Sequence, residues 1–136
     1  MRAEIFLDTN ILLYAASKTA AEKAKRARAR ELLAGEGVGL SVQVLAEFYV
    51  NATGKFKLPH DQVVKVLETF DGYPVLPLTH GVFWSALAIR RRYRISYWDA
   101  AIIAAAAALG CHTVFSEDLN HGQVYAGVHV LDPFRE

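Results

Sequence analysis

The chain has 136 residues and a formal net charge of +1, and 53% of its residues are hydrophobic while 21% are charged. This balance excludes a disordered chain and a polycation, and the length favours one domain over residues 1–136 that folds without a disulfide or a structural metal. A lone cysteine is consistent with a reducing cytosol. No signal peptide is visible, and the longest apolar run is too short to span a membrane. We therefore expect a soluble, cytoplasmic protein.

Short apolar runs mark the predicted strands. Residues 5–7 lead directly into Asp8, and residues 38–40 lead into Ser41. Continuous runs of this length are typical of strands that are buried on both faces. Further strands are predicted at residues 75–76, 112–115 and 128–131. The prolines on both sides of the 75–76 run favour an edge position, since proline cannot donate to a neighbouring strand.

Helical patterns separate these strands. A short helix or turn follows Asp8, and the spacing of Thr19 and Glu22 predicts a capping box that opens a helix ending near Leu33. The remaining helices are predicted over residues 42–53, 61–71, 79–94 and 97–109. Alternation of strands and helices predicts a three-layer α/β fold, with a central, mainly parallel sheet of four to five strands flanked by helices.

Four acids from distant segments are candidates for chemistry: Asp8, Glu47, Asp99 and Asp118. Each has one structural alternative: Asp8 as a helix cap, Glu47 as part of a solvated helix face, Asp99 as a capping-box partner and Asp118 as a turn residue. Asp8 and Asp118 follow predicted parallel strands, however, and Asp99 begins a helix that returns to the opposite edge of the sheet. Four converging carboxylates need a cation, and an all-oxygen ligand set selects Mg²⁺ or Mn²⁺, which serve phosphate chemistry.

Other chemistries fit the sequence less well. There is no Gly-rich phosphate loop, and the five histidines lack the spacing of zinc ligands. Cys111 is better explained as a packed residue than as a nucleophile. Ten of the 15 Lys and Arg residues lie in residues 18–30 and 90–94. These two basic segments are either solvated helix faces or patches that contact phosphates or a partner.

Four sequence blocks together resemble the signatures of PIN-domain nucleases, in particular the VapC-type toxins of type II toxin–antitoxin pairs. The blocks are residues 7–12 (LDTNIL), 41–48 (SVQVLAEF), 96–100 (SYWDA) and 116–119 (SEDL). They occur in the order of the family, and the resemblance extends from Ile5 to about Leu131. It implies a PIN-like fold and an Mg²⁺- or Mn²⁺-dependent endoribonuclease that hydrolyses RNA phosphodiester bonds with metal-activated water.

The resemblance also implies roles for individual residues. The four candidate acids take the catalytic and metal-binding positions, and Asn10 and Ser116 take supporting or substrate-binding positions. Glu117 neighbours the fourth acid, and the division of roles between Glu117 and Asp118 stays open. The family commonly forms homodimers and is held inactive by an antitoxin, so RNA, a cognate antitoxin and a homodimer or higher homo-oligomer are the expected partners.

Two alternatives to this function remain. One is a non-catalytic, PIN-like module that binds RNA or protein. The other is a metal-dependent nuclease that acts on DNA or in RNA processing.

Overall fold

The computed structural model describes residues 1–135, which form six strands and six α-helices. The strands are β1 (Ile5–Leu7), β2 (Val38–Ser41), β3 (Val75–Leu76), β4 (Thr113–Phe115), β5 (Val124–Tyr125) and β6 (Val128–Leu131). The helices are α1 (Thr9–Ala16), α2 (Lys23–Leu33), α3 (Val42–Thr53), α4 (His60–Glu68), α5 (His80–Tyr93) and α6 (Tyr97–Ala108).

The strands form one sheet in the order β3-β2-β1-β4-β6-β5, in which only β5 runs antiparallel to its neighbour. The predicted three-layer α/β class is confirmed, and β3 is at the edge, as its prolines predict. The sheet has six strands, however, one more than the largest number expected. The additional strand, β5, joins β6 through Ala126 and Gly127, which both have positive φ, as a tight hairpin requires. Two residues are too few to show an alternating pattern, so the sequence did not reveal this strand.

The core lies between the sheet and its helices. Phe6 and Leu7 of β1 are fully buried, as are Ile11 of α1, Phe48 of α3 and Ile103 of α6. Helix α6 is buried over all of residues 100–106 and contacts β2, β4 and β6. A helix that is apolar all round has no solvent face, and its alanines let it pack closely on the sheet. The start of α6 is thereby held against the edge where β1 and β4 end.

Hydroxyl groups cap three helices. Ser41 Oγ, Thr79 Oγ1 and Ser96 Oγ accept hydrogen bonds from the third backbone N–H that follows, at 3.3, 3.2 and 3.1 Å. The capping box predicted at Thr19 is wrong. The Thr19 hydroxyl instead donates to the Glu22 carboxylate at 2.9 Å, residues 20–22 form a 3₁₀ turn, and α2 begins only at Lys23. Helix α4 spans His60–Glu68, ending three residues before the predicted limit, because residues 69–71 form turns.

Candidate active site

A crevice forms where the strand order of the sheet reverses. The chain proceeds from β1 to β2 on one side, while β4 pairs with β1 on the other. Ligands of open α/β sheets bind outside the carboxyl ends of the strands at such a point. Leu7 is in register with Phe115, and the Asp8 N–H donates to the Phe115 carbonyl at 3.0 Å. Asp8 therefore lies beside Ser116, the first residue after β4.

One cleft of about 650 Å³ opens at this edge, and we call it the acidic cleft. Five separate segments contribute its acids: the end of β1, the 3₁₀ turn that ends at Glu22, helix α3, the start of α6 and the loop after β4. Its polar lining includes Asp8, Asn10, Glu47, Asp99, Glu117 and Asp118. The structure thus brings together all the predicted acids and Asn10. Ser116 lies beneath the lining and is fully buried. The catalytic and metal-binding roles of these residues stay predictions.

Asp8 is the most deeply buried of these acids, with 7% of its surface exposed. Burial raises the pKa of Asp8 from 3.8 to about 6, although hydrogen bonds from Ser116 and Thr9 act in the opposite direction. The nearby Glu47 and Asp118 add to the rise. Asp8 is also the N-cap of α1, since its Oδ1 accepts from Thr9 N at 2.7 Å. The capping explanation and the site explanation therefore both apply to this residue.

Ser116 connects Asp8 to the loop that carries Asp118. Its hydroxyl donates to Asp8 Oδ2 at 2.7 Å and accepts from the N–H groups of Asp118 and Leu119 at 3.1 and 3.3 Å. The hydroxyl is fully used by these three bonds. The geometry suits the supporting position that the sequence predicts for Ser116, because one side chain orients two of the candidate acids.

Gln43 connects two walls of the acidic cleft, and its place in the sequence does not indicate this contact. Its Nε2 donates to Glu47 Oε1 at 2.9 Å and to the Trp98 carbonyl at 3.3 Å, so it joins α3 to the start of α6. Glu47 and Asp99 are thereby held on connected walls of the cleft. Gln43 lies four residues before Glu47 on one polar stripe of α3, and only the contact with α6 distinguishes it from a surface residue.

Glu117 and Asp118 have different surroundings. Glu117 forms an ion pair with Lys25 of α2 and accepts from the Tyr14 hydroxyl at 2.7 Å. Partial burial acts to raise the pKa of Glu117, but these two hydrogen bonds outweigh it and the pKa is lowered. The pKa of Asp118 is raised, first by burial and then by the charges of Glu117 and Asp99. In residues 1–135, Asp118 has no salt-bridge partner, so it is the better candidate ligand.

The lining of the acidic cleft suits a hard divalent cation. The atoms that could bind a metal ion are carboxylate, amide and hydroxyl oxygens. Two of them, Thr9 Oγ1 and Asn10 Oδ1, are buried without a hydrogen-bond partner. Within residues 1–135, no three Asp, Glu, His or Cys side chains stand together as a ready-made metal cluster. Mg²⁺ commonly binds through one or two carboxylates and keeps several waters, so a spaced set of oxygens suits it better than zinc.

Most cations of the first basic segment have structural partners. Arg26 Nη1 donates to the Ser17 and Thr19 carbonyls at 3.2 and 3.0 Å, and Arg30 Nε donates to the Ala15 carbonyl at 2.8 Å. These bonds hold α2 against the end of α1. The second segment is different, since all four of its arginines are exposed at the end of α5. Phosphate contacts by either segment stay a prediction.

Cys111 lies outside the acidic cleft and is 5% exposed. Burial raises the pKa of its thiol to about 11, so the thiolate is scarce near neutral pH. This environment agrees with the packed residue that the sequence indicates.

The PIN domain family model matches residues 5–127 of the chain. The chain belongs to the PIN-domain family. The resemblance that the four sequence blocks carry is thus confirmed over most of the chain. No curated protein matches the sequence. None of the helices within residues 1–135 is long and apolar enough to cross a membrane.

Solved structures share this PIN fold. The Mycobacterium tuberculosis toxin VapC20, which cleaves the sarcin–ricin loop, is 22% identical with a TM-score of 0.67, covering 85% of this chain and 92% of that one. FitAB bound to a DNA fragment is 24% identical with a TM-score of 0.73, covering 97% and 96%. Rickettsia felis VapBC2 bound to promoter DNA is 17% identical with a TM-score of 0.67, covering 93% and 96%. At these identities the likeness establishes the fold.

Proposed function

We propose that this PIN domain is a divalent-metal-dependent endoribonuclease and the toxin of a toxin–antitoxin pair. The observation that carries the proposal is the convergence of four carboxylates, from four separate segments, on one cleft at the reversal point of the sheet. A solvated helix face or a helix cap needs no such convergence. All four acids of the predicted site are present, which disfavours a non-catalytic binding module.

Each acid has a role that follows from its position. Asp8, fixed by Ser116 and the Thr9 N–H, and Asp99, at the start of α6, would hold a Mg²⁺ or Mn²⁺ ion. Glu47 and Asp118 would complete the donor set or orient water. When bound, such an ion polarises the phosphodiester and makes water a stronger nucleophile. Ser116 keeps the Asp8 carboxylate aimed at the cleft throughout.

Metal removal tests the proposal directly. We expect the purified, partner-free chain to cleave single-stranded RNA in Mg²⁺ or Mn²⁺, to lose that activity in EDTA, and to regain it when the ion is restored. The measurement is the appearance of internal cleavage products from an end-labelled RNA. Parallel digestion of single-stranded DNA separates an endoribonuclease from a nuclease that acts on DNA. Undiminished RNA cleavage in EDTA would contradict the proposal.

The neighbouring acids of the β4 loop are expected to differ in importance. Asp118→Asn should lower kcat/KM for RNA about 100-fold, because Asp118 has no cation partner and faces the other acids. Glu117→Gln should cost less than about tenfold, since Lys25 and Tyr14 already engage that carboxylate. The two variants are compared at saturating Mg²⁺. Equal losses for both would show that Glu117 also acts in the site.

We further propose that the chain acts in the cytoplasm as a homodimer or higher homo-oligomer and is inhibited by a cognate antitoxin. The support is the shared fold with proteins described as FitAB, VapBC2 and a toxin–antitoxin complex from Klebsiella pneumoniae. Inhibition of RNA cleavage by the product of the adjacent gene tests the antitoxin, and light scattering of the purified chain tests the oligomer.

A further inference from the structure

Two aromatic side chains lie exposed in the lining of the acidic cleft. Trp98 immediately precedes Asp99 and is 63% exposed, and Phe56 follows α3 and is 49% exposed. Folding gains little from leaving such large apolar surfaces in water. The Tyr97 ring packs edge-on against Trp98, with centroids 5.1 Å apart, which leaves most of the indole open to solvent.

Lysines accompany these rings. Lys18 and Lys55 also line the acidic cleft, and the Lys55 ammonium lies 5.5 Å from the centroid of the Phe56 ring. The carboxylates and these lysines therefore share one cleft. A polyanion can enter a cleft that carries carboxylates when cations elsewhere in its lining neutralise the phosphates.

We propose that Trp98 and Phe56 are a stacking site for unpaired RNA bases next to the scissile phosphate, with Lys18 and Lys55 contacting the flanking phosphates. The inference rests on the proposed function and adds the side chains that would bind the unpaired bases and the flanking phosphates of the substrate. Aromatic side chains bind unpaired bases by stacking, and a base within a duplex has no free face to offer. Cations beside stacking rings are the usual composition of single-strand binding grooves.

Trp98 is well placed to align the substrate with the acids. Its carbonyl accepts from Gln43, which also holds Glu47, and Ser96 caps the helix that begins at Tyr97. Because Trp98 and Asp99 are consecutive residues of this fixed backbone, a base stacked on Trp98 is held at a fixed position relative to Asp99. Stacking on this residue would place the adjacent phosphate over the acids.

Binding without turnover tests the site. The affinity of a short, fluorescent, single-stranded oligoribonucleotide is measured by anisotropy in EDTA for the wild type, W98A, W98F and F56A. The matched control is W84A, because Trp84 of α5 is 59% exposed but lies outside the acidic cleft. We expect W98A and F56A to weaken binding about tenfold or more, and W98F to retain most of it. W84A should bind within about twofold of the wild type, and the corresponding duplex should be insensitive to W98A.

The outcomes separate this inference from the proposed function. If the wild type cleaves RNA but W98A binds and cleaves like the wild type, the stacking site is overturned and the nuclease stands. If single strands bind through Trp98 but Mg²⁺ or Mn²⁺ gives no cleavage, the stacking site stands and the nuclease fails. Equal losses in W84A and W98A overturn the site. So does a change in the oligomeric state of W98A without a change in RNA affinity, which would assign the ring to a protein contact.

Discussion

Replacing Asp99 with asparagine is expected to lower the rate of RNA cleavage more than about 100-fold while the protein stays folded. Loss of a residue that only orients a metal ligand costs up to about 100-fold, and loss of a ligand should cost at least as much. Asp99 is only half-buried and lies in the first turn of α6. Removing its charge forfeits a favourable interaction with the helix dipole of about 0.3–1 kcal/mol, which is too little to unfold the domain.

The chain offers a matched control for this variant. Asp61 also lies in the first turn of a helix, α4, but it is exposed and outside the acidic cleft. D61N should therefore lose a small amount of stability in urea unfolding, and D99N should lose no more than that, because its substitution also removes the repulsion between Asp99 and Asp118. Only D99N should lose activity and affinity for Mn²⁺ in titration calorimetry. Cleavage by D99N at the wild-type rate would remove Asp99 from the site.

Replacing Asp8 with asparagine is expected to change stability and activity in opposite directions. A rise in pKa from 3.8 to about 6 corresponds to roughly 3 kcal/mol that the folded state pays to keep this carboxylate charged near neutral pH. Asparagine removes the charge. Its amide N–H group would also face Ser116 Oγ, which already accepts hydrogen bonds from two backbone N–H groups. We therefore expect metal-free D8N to be about 1–2 kcal/mol more stable than the wild type near pH 7.5, and inactive.

The pH dependence of this difference has a definite sign. Because the pKa of Asp8 is higher in the folded state, the unfolded chain loses its proton first as the pH rises. The stability that the protonated group contributes is complete below about pH 4 and is lost as the pH rises through about 6. The excess stability of D8N over the wild type should therefore shrink, and then change sign, as the pH is lowered towards about 4. Urea unfolding in EDTA at several pH values measures it. A D8N variant that is less stable than the wild type near pH 7.5 would contradict the burial argument.

Adding the metal should reverse the order of stability. An ion that binds only the folded wild type stabilises it in proportion to the logarithm of the ion concentration, whereas D8N lacks a principal ligand. Wild-type stability should consequently rise with Mn²⁺ or Mg²⁺ near pH 7.5, and that of D8N should not. The same experiment on D61N gives the response of an intact site.

Local rules anticipated much of the candidate site. Asp8 follows a buried strand directly, and the alternation of strands and helices implies that parallel strands end at one edge, so its proximity to the β4 loop could be inferred. Asp99 and Ser96 also obey a local rule, since the cap spacing marks the start of α6. These inferences work because strand ends and helix starts are set by residues within a few positions of each other.

Other features depend on groups far apart in the chain. Glu117 and Asp118 are adjacent acids. Only Glu117 is bound by Lys25 of α2 and Tyr14 of α1. Local spacing does not distinguish the two acids, and contacts from other elements do.

The amino-acid pattern alone predicted the α/β class, the order of most elements and four candidate acids, three of them next to element ends and Glu47 on the polar stripe of α3, because burial periodicity and capping act over short distances. Tertiary structure decided the sixth strand, the tie from Gln43 to α6 and the rise in the pKa of Asp8. It also placed Trp98 and Phe56 in the lining of the same cleft. The reason is that burial of a charge, repulsion between acids and a common cleft arise only when distant segments meet. A short stretch of neighbouring residues therefore cannot predict them.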